Sequence, residues 1–104
     1  MKILSNKKTS ILLDIGGTDT MYYSDFIKLI AATVDIKSGI DIIQMKQRMK
    51  IIDACDASKK KGKDPQISFE DTDFIAVKKM CHEHKWATVH HDVIMFIDDL
   101  DKVK

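Results

Sequence analysis

The sequence is poor in the residues that mark specialised protein classes. Its 104 residues include one proline and four glycines, so the chain is neither collagen-like nor of low complexity. Two cysteines are too few for the disulfide framework of a small secreted domain, and we expect reduced thiols in a cytoplasmic protein. No apolar run approaches the roughly 20 residues of a transmembrane helix. We therefore expect a globular chain without a membrane partner.

An excess of charge of one sign is also missing. Seventeen Lys and Arg residues against sixteen Asp and Glu residues leave a formal net charge of +1. This charge creates no global field that would draw the protein onto nucleic acid or an anionic membrane. The polar stretch from Ser5 to Thr9 follows no long apolar region, which predicts the absence of a signal peptide.

What the sequence does contain is typical of one globular domain. Hydrophobic residues make up 44% and charged residues 32% of the chain. A chain of this length can bury roughly two-thirds of the surface that its unfolded form exposes. We therefore expect residues 1–104 to form a single domain with one core.

The N-terminal third of the sequence predicts a β-hairpin and a helix. Two short apolar runs, residues 2–4 and 10–15, flank the polar segment Asn6-Lys7-Lys8, which is the pattern of a hairpin. From about Thr20, apolar residues recur at spacings of three and four and predict a helix that ends before Ser38. The apolar positions of this helix are Tyr23, Phe26, Ile27, Ile30 and Val34.

A second helix is predicted to begin at Asp41. Asp41 and Gln44 fit a capping box, and the segment from Ser58 to Pro65 ends the helix because glycine, proline and clustered lysines oppose its continuation. We expect one apolar stripe of this helix to face the core: Ile42, Met45, Met49, Ile52 and Cys55. The methionines are interpreted as core residues: Met21, Met45, Met49, Met80 and Met95.

The C-terminal third predicts a short strand and two further helices. Gln66 to Ser68 extend the sheet, and Ser68 with Asp71 opens a third helix. A break near Trp86 separates it from a fourth, whose apolar stripe is Val89, Val93, Phe96, Ile97 and Leu100. The predicted fold class is α+β, with an N-terminal β-hairpin packed against about four helices, the last two of which form an αα-hairpin.

One glycine-rich segment bears on cofactor binding. The segment Leu13-Asp14-Ile15-Gly16-Gly17-Thr18-Asp19-Thr20 resembles the first phosphate-binding loop of the actin-like and sugar-kinase ATPases. In such a loop an aspartate can organise Mg²⁺ and glycines let backbone N–H groups approach phosphate. Those ATPases close two large domains around the nucleotide, however, and this chain has no room for them and no second glycine-rich loop. We interpret the segment as a strand-to-helix turn and expect no cofactor.

A cluster of histidine and cysteine raises the question of a metal site. Its candidate zinc ligands are Cys81, His84, His90 and His91. The chain has no paired Cys-x-x-Cys and no His-Glu-x-x-His, and Cys81 stands at an apolar stripe position where a buried thiol is expected. We therefore expect no metal. The sequence also has no serine in a nucleophile elbow and no evident catalytic dyad, so we expect no enzyme.

Three features are candidate partner-binding elements. The first is a basic loop with Lys59, Lys60, Lys61 and Lys63, which is expected to be a solvated surface segment. The second is Trp86, for which we favour a core position although tryptophan is common at interface hot spots. The third is an acidic face, which together with the lysines would orient a partner through charge. Its residues are Asp92, Asp98, Asp99 and Asp101.

One part of the sequence resembles short bacteriophage-encoded proteins. The resemblance lies in Gly39-Ile40, Gln44-Met45-Lys46-Gln47-Arg48-Met49 and Ile52-Asp53-Ala54. In that group a strand and acidic turn similar to residues 67–73 precede a helix, a tryptophan and a final helix similar to residues 94–100. The resemblance implies a viral accessory or structural protein and implies no catalytic residues.

We therefore expect a non-enzymatic protein that binds a protein partner or further copies of itself. The expected role is that of a phage structural, assembly or host-modulating protein, in the virion or in the cytoplasm of a bacterial host. The alternative is a nucleic-acid-binding regulator that uses the Lys59 to Lys63 loop and the cationic side of the second helix.

Overall fold

The computed structural model describes residues 1–12, 20–34, 38–58, 65–86 and 89–103. These residues include the strands β1 (Lys2–Ser5), β2 (Lys8–Leu12), β3 (Thr20–Tyr22) and β4 (Gln66–Phe69). They also include the helices α1 (Tyr23–Ala32), α2 (Ile42–Ala57), α3 (Asp71–Glu83) and α4 (His91–Lys102). The predicted α+β fold with four helices is confirmed. None of these helices combines the length and the apolar character that a membrane span requires.

The N-terminal hairpin is present, but β2 and β3 are its strands. They pair antiparallel, with Lys8 opposite Tyr22 and Leu12 opposite Thr20. β1 pairs antiparallel with β4 instead, and Leu4 lies opposite Ile67. The pairing of residues 2–4 with 10–15 that the sequence suggested is thus corrected.

The physical reason for this pairing lies in the residues that β1 and β4 bury together. Leu4, Ile67 and Phe69 are at most 2% exposed, so the two strands place a continuous apolar face on the core. The backbone N–H of Asn6 donates to the carbonyl of Pro65 at 2.8 Å, which extends the contact beyond the ladder. Asn6 is therefore part of the core rather than the exposed turn that its polarity suggested.

The start of α1 depends on the pairing of β3 with β2, and the start of α2 depends on a local cap. The first helix was predicted from about Thr20, but residues 20–22 form β3, and α1 begins at Tyr23. The side chain of Thr9 donates to the carbonyl of Met21 at 2.6 Å, and the Asp25 carboxylate accepts the N–H of Tyr22 at 2.8 Å. The predicted start of α2 is confirmed, because the Asp41 carboxylate accepts the N–H of Gln44 at 2.7 Å.

The starts of the last two helices differ slightly from the prediction. Ser68 lies within β4, and the residue that precedes α3 is Glu70, so the predicted capping pair of Ser68 with Asp71 is corrected. Val89 lies before the first residue of α4 and is exposed. It therefore does not belong to the buried stripe of that helix, in which it was placed.

The core is built around α1. This helix packs against α2 and α3, α2 also packs on β4, and α4 contacts α3 and β2. The largest fully buried apolar side chains are Tyr23, Phe69, Phe96, Leu4, Ile27, Ile51, Ile67 and Leu100. Tyr23 and Phe96 lie with ring centroids 5.0 Å apart and join α1 to α4. The predicted burial of Phe26, Ile27, Ile30 and Phe96 is confirmed.

Asn6 is a polar junction inside this core. Its side chain is 1% exposed, and its Oδ1 accepts the N–H of Ser24 at 2.9 Å. Its Nδ2 donates to Ser24 Oγ at 3.0 Å and to Ser58 Oγ at 3.1 Å. Ser58 in turn donates to the carbonyl of Gln66 at 2.8 Å. One amide thus connects the β1–β2 junction with the start of α1, the end of α2 and the start of β4.

The orientation of α2 differs from the prediction. Its buried residues are Ile51 and Cys55, whereas Ile42, Met45 and Met49 are 62%, 45% and 50% exposed. Of the predicted core stripe, Cys55 alone is fully buried, and Ile52 is half-buried. The expectation that Ile42, Met45 and Met49 face the core was wrong.

Arg48 gives the physical reason for this orientation. Its guanidinium donates to the carbonyl oxygens of Ala31 at 3.3 Å and Thr33 at 2.7 Å, at the C-terminal end of α1. The last carbonyls of a helix have no partner within it, and a cation suits the negative end of the helix dipole. Because Arg48 must face α1, the helix is rotated so that Ile51 faces the core and Met49 faces away from it.

The Asn6 junction generates a stability prediction. We expect Asn6→Ala to lower the free energy of unfolding by about 3 kcal/mol, because it leaves the buried N–H of Ser24 without an acceptor and removes two further hydrogen bonds. Thermal unfolding should show a loss of more than about 10 °C in Tm. The control is Lys8→Ala, at an exposed position of β2. If Asn6→Ala is as stable as this control, Asn6 is not a junction of the fold.

Candidate protein-binding surface

The outward face of α2 carries a line of apolar side chains. We call Ile42, Met45 and Met49 the α2 outer stripe; their spacing of three and four residues places them on one side of the helix. The stripe lies opposite Ile51, and the half-buried Ile52 borders it. The helix has 16 residues and is therefore about 24 Å long. A helix that is apolar on two opposite faces has a second surface available for packing.

Two charges of opposite sign lie beside the α2 outer stripe. Lys46 and Asp53 are exposed, and their spacing of seven residues, two helical turns, puts them on the same flank. In the described part of the chain, no ion pair joins either of them to another residue. By contrast, Lys50 pairs with Glu70 at 3.0 Å, and Asp56 pairs with Lys28. The stripe therefore has one available cation and one available anion along its edge.

Sequence reasoning missed this surface because it assigned one apolar stripe to the core. The helix contains a second apolar pair, Ile51 and Cys55, one helical turn apart. The presence of two apolar faces was the available signal. It could not show which face is buried, because that depends on the contact of Arg48 with α1.

Trp86 closes an aromatic cluster at the edge of the core. It is half-buried, with its ring centroid 5.7 Å from that of Phe26 and 6.2 Å from that of Phe96, both in edge-to-face geometry. The imidazole of His84 also packs against Trp86, with ring centroids 5.0 Å apart in edge-to-face geometry. The remaining surface of Trp86 lines an open cleft of about 280 Å³ together with Ile94 and other residues of α3 and α4. Trp86 thus contributes to both the core and the surface.

The acidic residues of α4 differ in their surroundings. The Asp99 carboxylate accepts hydrogen bonds from the Tyr23 hydroxyl at 2.7 Å and from Lys7 Nζ at 2.9 Å. Burial acts to raise the pKa of Asp99, but the bonds from Tyr23 and Lys7 outweigh it and hold this pKa below its ordinary value. Asp101 lies 2.8 Å from the Nε2 of His82. Asp98 is exposed and lines the Trp86 cleft.

Asp92 ties α4 to the N-terminal hairpin. Its carboxylate accepts both the backbone N–H and the hydroxyl of Ser10 at 2.8 Å. These two bonds hold the pKa of Asp92 below its ordinary value. Of the acidic face predicted from the sequence, Asp92, Asp99 and Asp101 have partners within the chain. Asp98 is the member that a rim contact would use most readily.

Two predicted features lie outside the described residues. The basic loop with Lys59, Lys60, Lys61 and Lys63 falls in residues 59–64. Most of the glycine-rich segment falls in residues 13–19. The role of the lysines as a surface loop stays a prediction. The prediction of a strand-to-helix turn was wrong, because the residues that follow this segment form β3, which pairs with β2 before α1 begins.

The candidate metal ligands do different things in the structure. They are Cys81, His84, His90 and His91, and over the described ranges no three potential ligands form a group that could hold a metal ion. Burial raises the pKa of the Cys81 thiol to about 12, so it stays protonated at neutral pH. The Nδ1 of His90 accepts the N–H of Asp92 at 3.0 Å and caps α4. The imidazole of His84 packs on Trp86.

Comparison with known proteins adds nothing to this geometry. No protein-family model, curated protein or solved structure matches the chain. The resemblance to short bacteriophage-encoded proteins therefore stays a prediction from the residue pattern.

The position of Trp86 generates a prediction about its role. We expect Trp86→Ala to lower the free energy of unfolding by about 3 kcal/mol, because the edge contacts with Phe26 and Phe96 are lost and a cavity remains. Chemical unfolding measures the effect. The control is Ile94→Ala, which truncates an exposed side chain of the same cleft and should cost less than about 1 kcal/mol. Equal stability of the two variants would show that Trp86 acts at the surface alone.

The two buried cysteines generate a second prediction. Both are free thiols, and burial raises the pKa of each to about 12. At pH 8 we expect the native protein to react with Ellman's reagent at least about 100-fold more slowly than the unfolded chain, because the thiolate is the reactive form. Because burial raises the thiol pKa in the folded state, the protonated thiols favour the folded protein below about pH 8.5, the pKa of an unfolded thiol. This contribution to the free energy of unfolding is lost as the pH rises from there toward about 12, the pKa in the folded state.

An exposed thiol supplies the control for this experiment. Ser68→Cys places a cysteine at an exposed position of β4, where it should react like a free peptide thiol. Rapid labelling of Cys55 or Cys81 in the native wild-type protein would contradict their burial.

Proposed function

We propose that this protein acts by binding a protein chain through the α2 outer stripe. The observation that supports the proposal is the exposure of Ile42, Met45 and Met49, at 45–62%, on a helix whose opposite face is already packed in the core. Covering apolar surface contributes about 25 cal/mol per Å² removed from water. Contiguous exposed apolar residues are a feature of interaction sites.

The chemistry of the stripe suits a helical or grooved partner surface. Anchors at spacings of three and four residues are the pattern by which an amphipathic helix binds an apolar partner. Methionine is flexible and polarisable, so Met45 and Met49 can fit a partner surface closely. The flanking charges of Lys46 and Asp53 contribute orientation more than affinity. No catalytic group is required for this role, and we propose a non-enzymatic protein.

The setting that we propose follows from the resemblance to phage-encoded proteins. The protein would act as a virion, assembly or host-modulating component, in a virion or in the cytoplasm of a bacterial host. Trp86 and the exposed Asp98 line a cleft between α3 and α4 and stay secondary candidates for contact.

The nucleic-acid-binding alternative loses part of its support. It relied on the cationic side of α2, but Arg48 is bonded to the carbonyls of Ala31 and Thr33, and Lys50 is paired with Glu70. Within the described residues of α2, this leaves Lys46 as the cation available to a phosphate. The contribution of the Lys59 to Lys63 loop stays a prediction.

Capture with matched variants tests the proposal. We expect immobilised wild-type protein to retain a partner from the native source, and Met49→Glu to retain at least about tenfold less, because a buried carboxylate opposes an apolar contact. The control is Ile43→Glu, which places the same charge on another side of α2 at a position that is 78% exposed.

Both variants must keep the Tm of the wild-type protein, which is expected because both positions are exposed. If Met49→Glu retains the partner as well as Ile43→Glu does, the α2 outer stripe is not the binding surface.

A further inference from the structure

We infer that the partner of the α2 outer stripe is the same stripe of a second copy of this chain, packed antiparallel. This inference rests on the proposed function, because it names the partner of the same surface. It is carried by the order of charges along the edge of the stripe.

The charges along the edge of the stripe are complementary to those of a second copy whose α2 runs in the opposite direction. Lys46 and Asp53 lie on the same flank of α2, two helical turns apart. When two such helices pack antiparallel about a twofold axis, Lys46 of each copy lies beside Asp53 of the other. The axis makes this contact twice, as in any isologous dimer. Both residues are exposed and have no ion-pair partner among the described residues of their own chain.

A parallel arrangement does not have this complementarity. In a parallel pair the flank with Lys46 and Asp53 would face the opposite flank of the second copy, not the same flank. Attractive pairs in a parallel dimer would need Arg48 and Asp41. Arg48 is turned toward α1, and the Asp41 carboxylate caps α2.

The apolar residues fit the same register. The pairing of Lys46 with Asp53 puts the twofold axis beside Met49, so that Met49 packs against Met49 and Ile52 of the second copy. The same register places Ile42 at the end of α2 of the second copy, beside Ala57 and beside Asp56, whose charge is paired with Lys28. The flexible methionines fill the centre of the contact.

A partner of uniform charge matches this edge less well. A strongly acidic segment would meet Asp53, and a strongly basic segment would meet Lys46. A second copy of α2 in the opposite direction places an anion beside Lys46 and a cation beside Asp53, and therefore matches both charges. A stripe on one helix covers less than the roughly 800 Å² that each partner buries in a standard interface, so we expect a weak dimer that depends on concentration.

Sedimentation velocity across protein concentrations is the first experiment. The wild-type protein should pass from monomer to dimer between about 10 μM and about 1 mM. Met49→Glu should stay monomeric over this range, while Ile43→Glu should dimerise like the wild-type protein. A wild-type protein that is monomeric at about 1 mM overturns the inference.

A charge exchange between two variants tests the antiparallel register. Lys46→Glu alone and Asp53→Lys alone each create two like-charge contacts in a homodimer, so each should dimerise about tenfold more weakly than the wild-type protein. An equimolar mixture restores both attractive pairs, because one copy then has two carboxylates along this edge and the other has two ammonium groups. The mixture should recover the wild-type affinity. Lys85→Glu, an exposed change outside α2, is the control and should have no effect.

The outcomes separate this inference from the proposed function. A dimer whose mixture of charge variants does not recover affinity overturns the antiparallel register and with it the inference. If the wild-type protein is monomeric but Met49→Glu still loses a captured foreign protein, the second copy is excluded and the proposed binding surface stands. If Met49→Glu changes neither dimerisation nor capture, both fail.

Discussion

The primary amide of Asn6 is buried, and it is tolerated there because its hydrogen-bonding groups are satisfied. The partners of the side-chain amide come from the first turn of α1 and from the residue after α2, and the backbone N–H of Asn6 binds the segment that leads into β4. These segments are far apart in the sequence. The amide therefore imposes one arrangement on them, because any other arrangement leaves a buried donor or acceptor without a partner. The β1–β4 ladder, the start of α1 and the end of α2 all depend on this requirement.

The orientation of α2 follows from the same kind of constraint. Its apolar residues lie on two faces and would allow either face to be buried. Polar contacts decide between them: Ser58 holds the end of the helix at Asn6, Arg48 binds the carbonyls at the end of α1, and Lys50 reaches Glu70. Ile51 and Cys55 then face the core and the α2 outer stripe faces solvent. The surface to which we assign function is thus a by-product of how polar groups are satisfied at the edges of the core.

Much of the fold was accessible from local sequence patterns. The start of α2 at the Asp41 cap and the buried positions of α1 and α4 follow from periodicity and capping, which act over a few residues. Three features were not accessible. The partner of β1 depends on the burial of Asn6, the start of α1 depends on the pairing of β3 with β2, and the face of α2 depends on Arg48. Each is decided by a contact between distant residues, and a polar residue in the sequence does not reveal whether it has a buried partner. The candidate site was missed for the last of these reasons.

The pairing of β1 with β4 also has a consequence for the order in which the chain folds during synthesis. β1 leaves the ribosome before α1 and α2, and its ladder partner β4 follows only after these helices have emerged. The ion pair of Lys7 forms later still, because its partner Asp99 lies in α4. The β2–β3 hairpin and the individual helices join neighbouring residues, whereas the closure of the core joins residues that are far apart in the sequence, and such contacts carry a larger cost in loop-closure entropy. Until then Leu4 and the apolar face of α1 stay exposed on the nascent chain, which makes this interval the period of greatest exposure to aggregation and to chaperones.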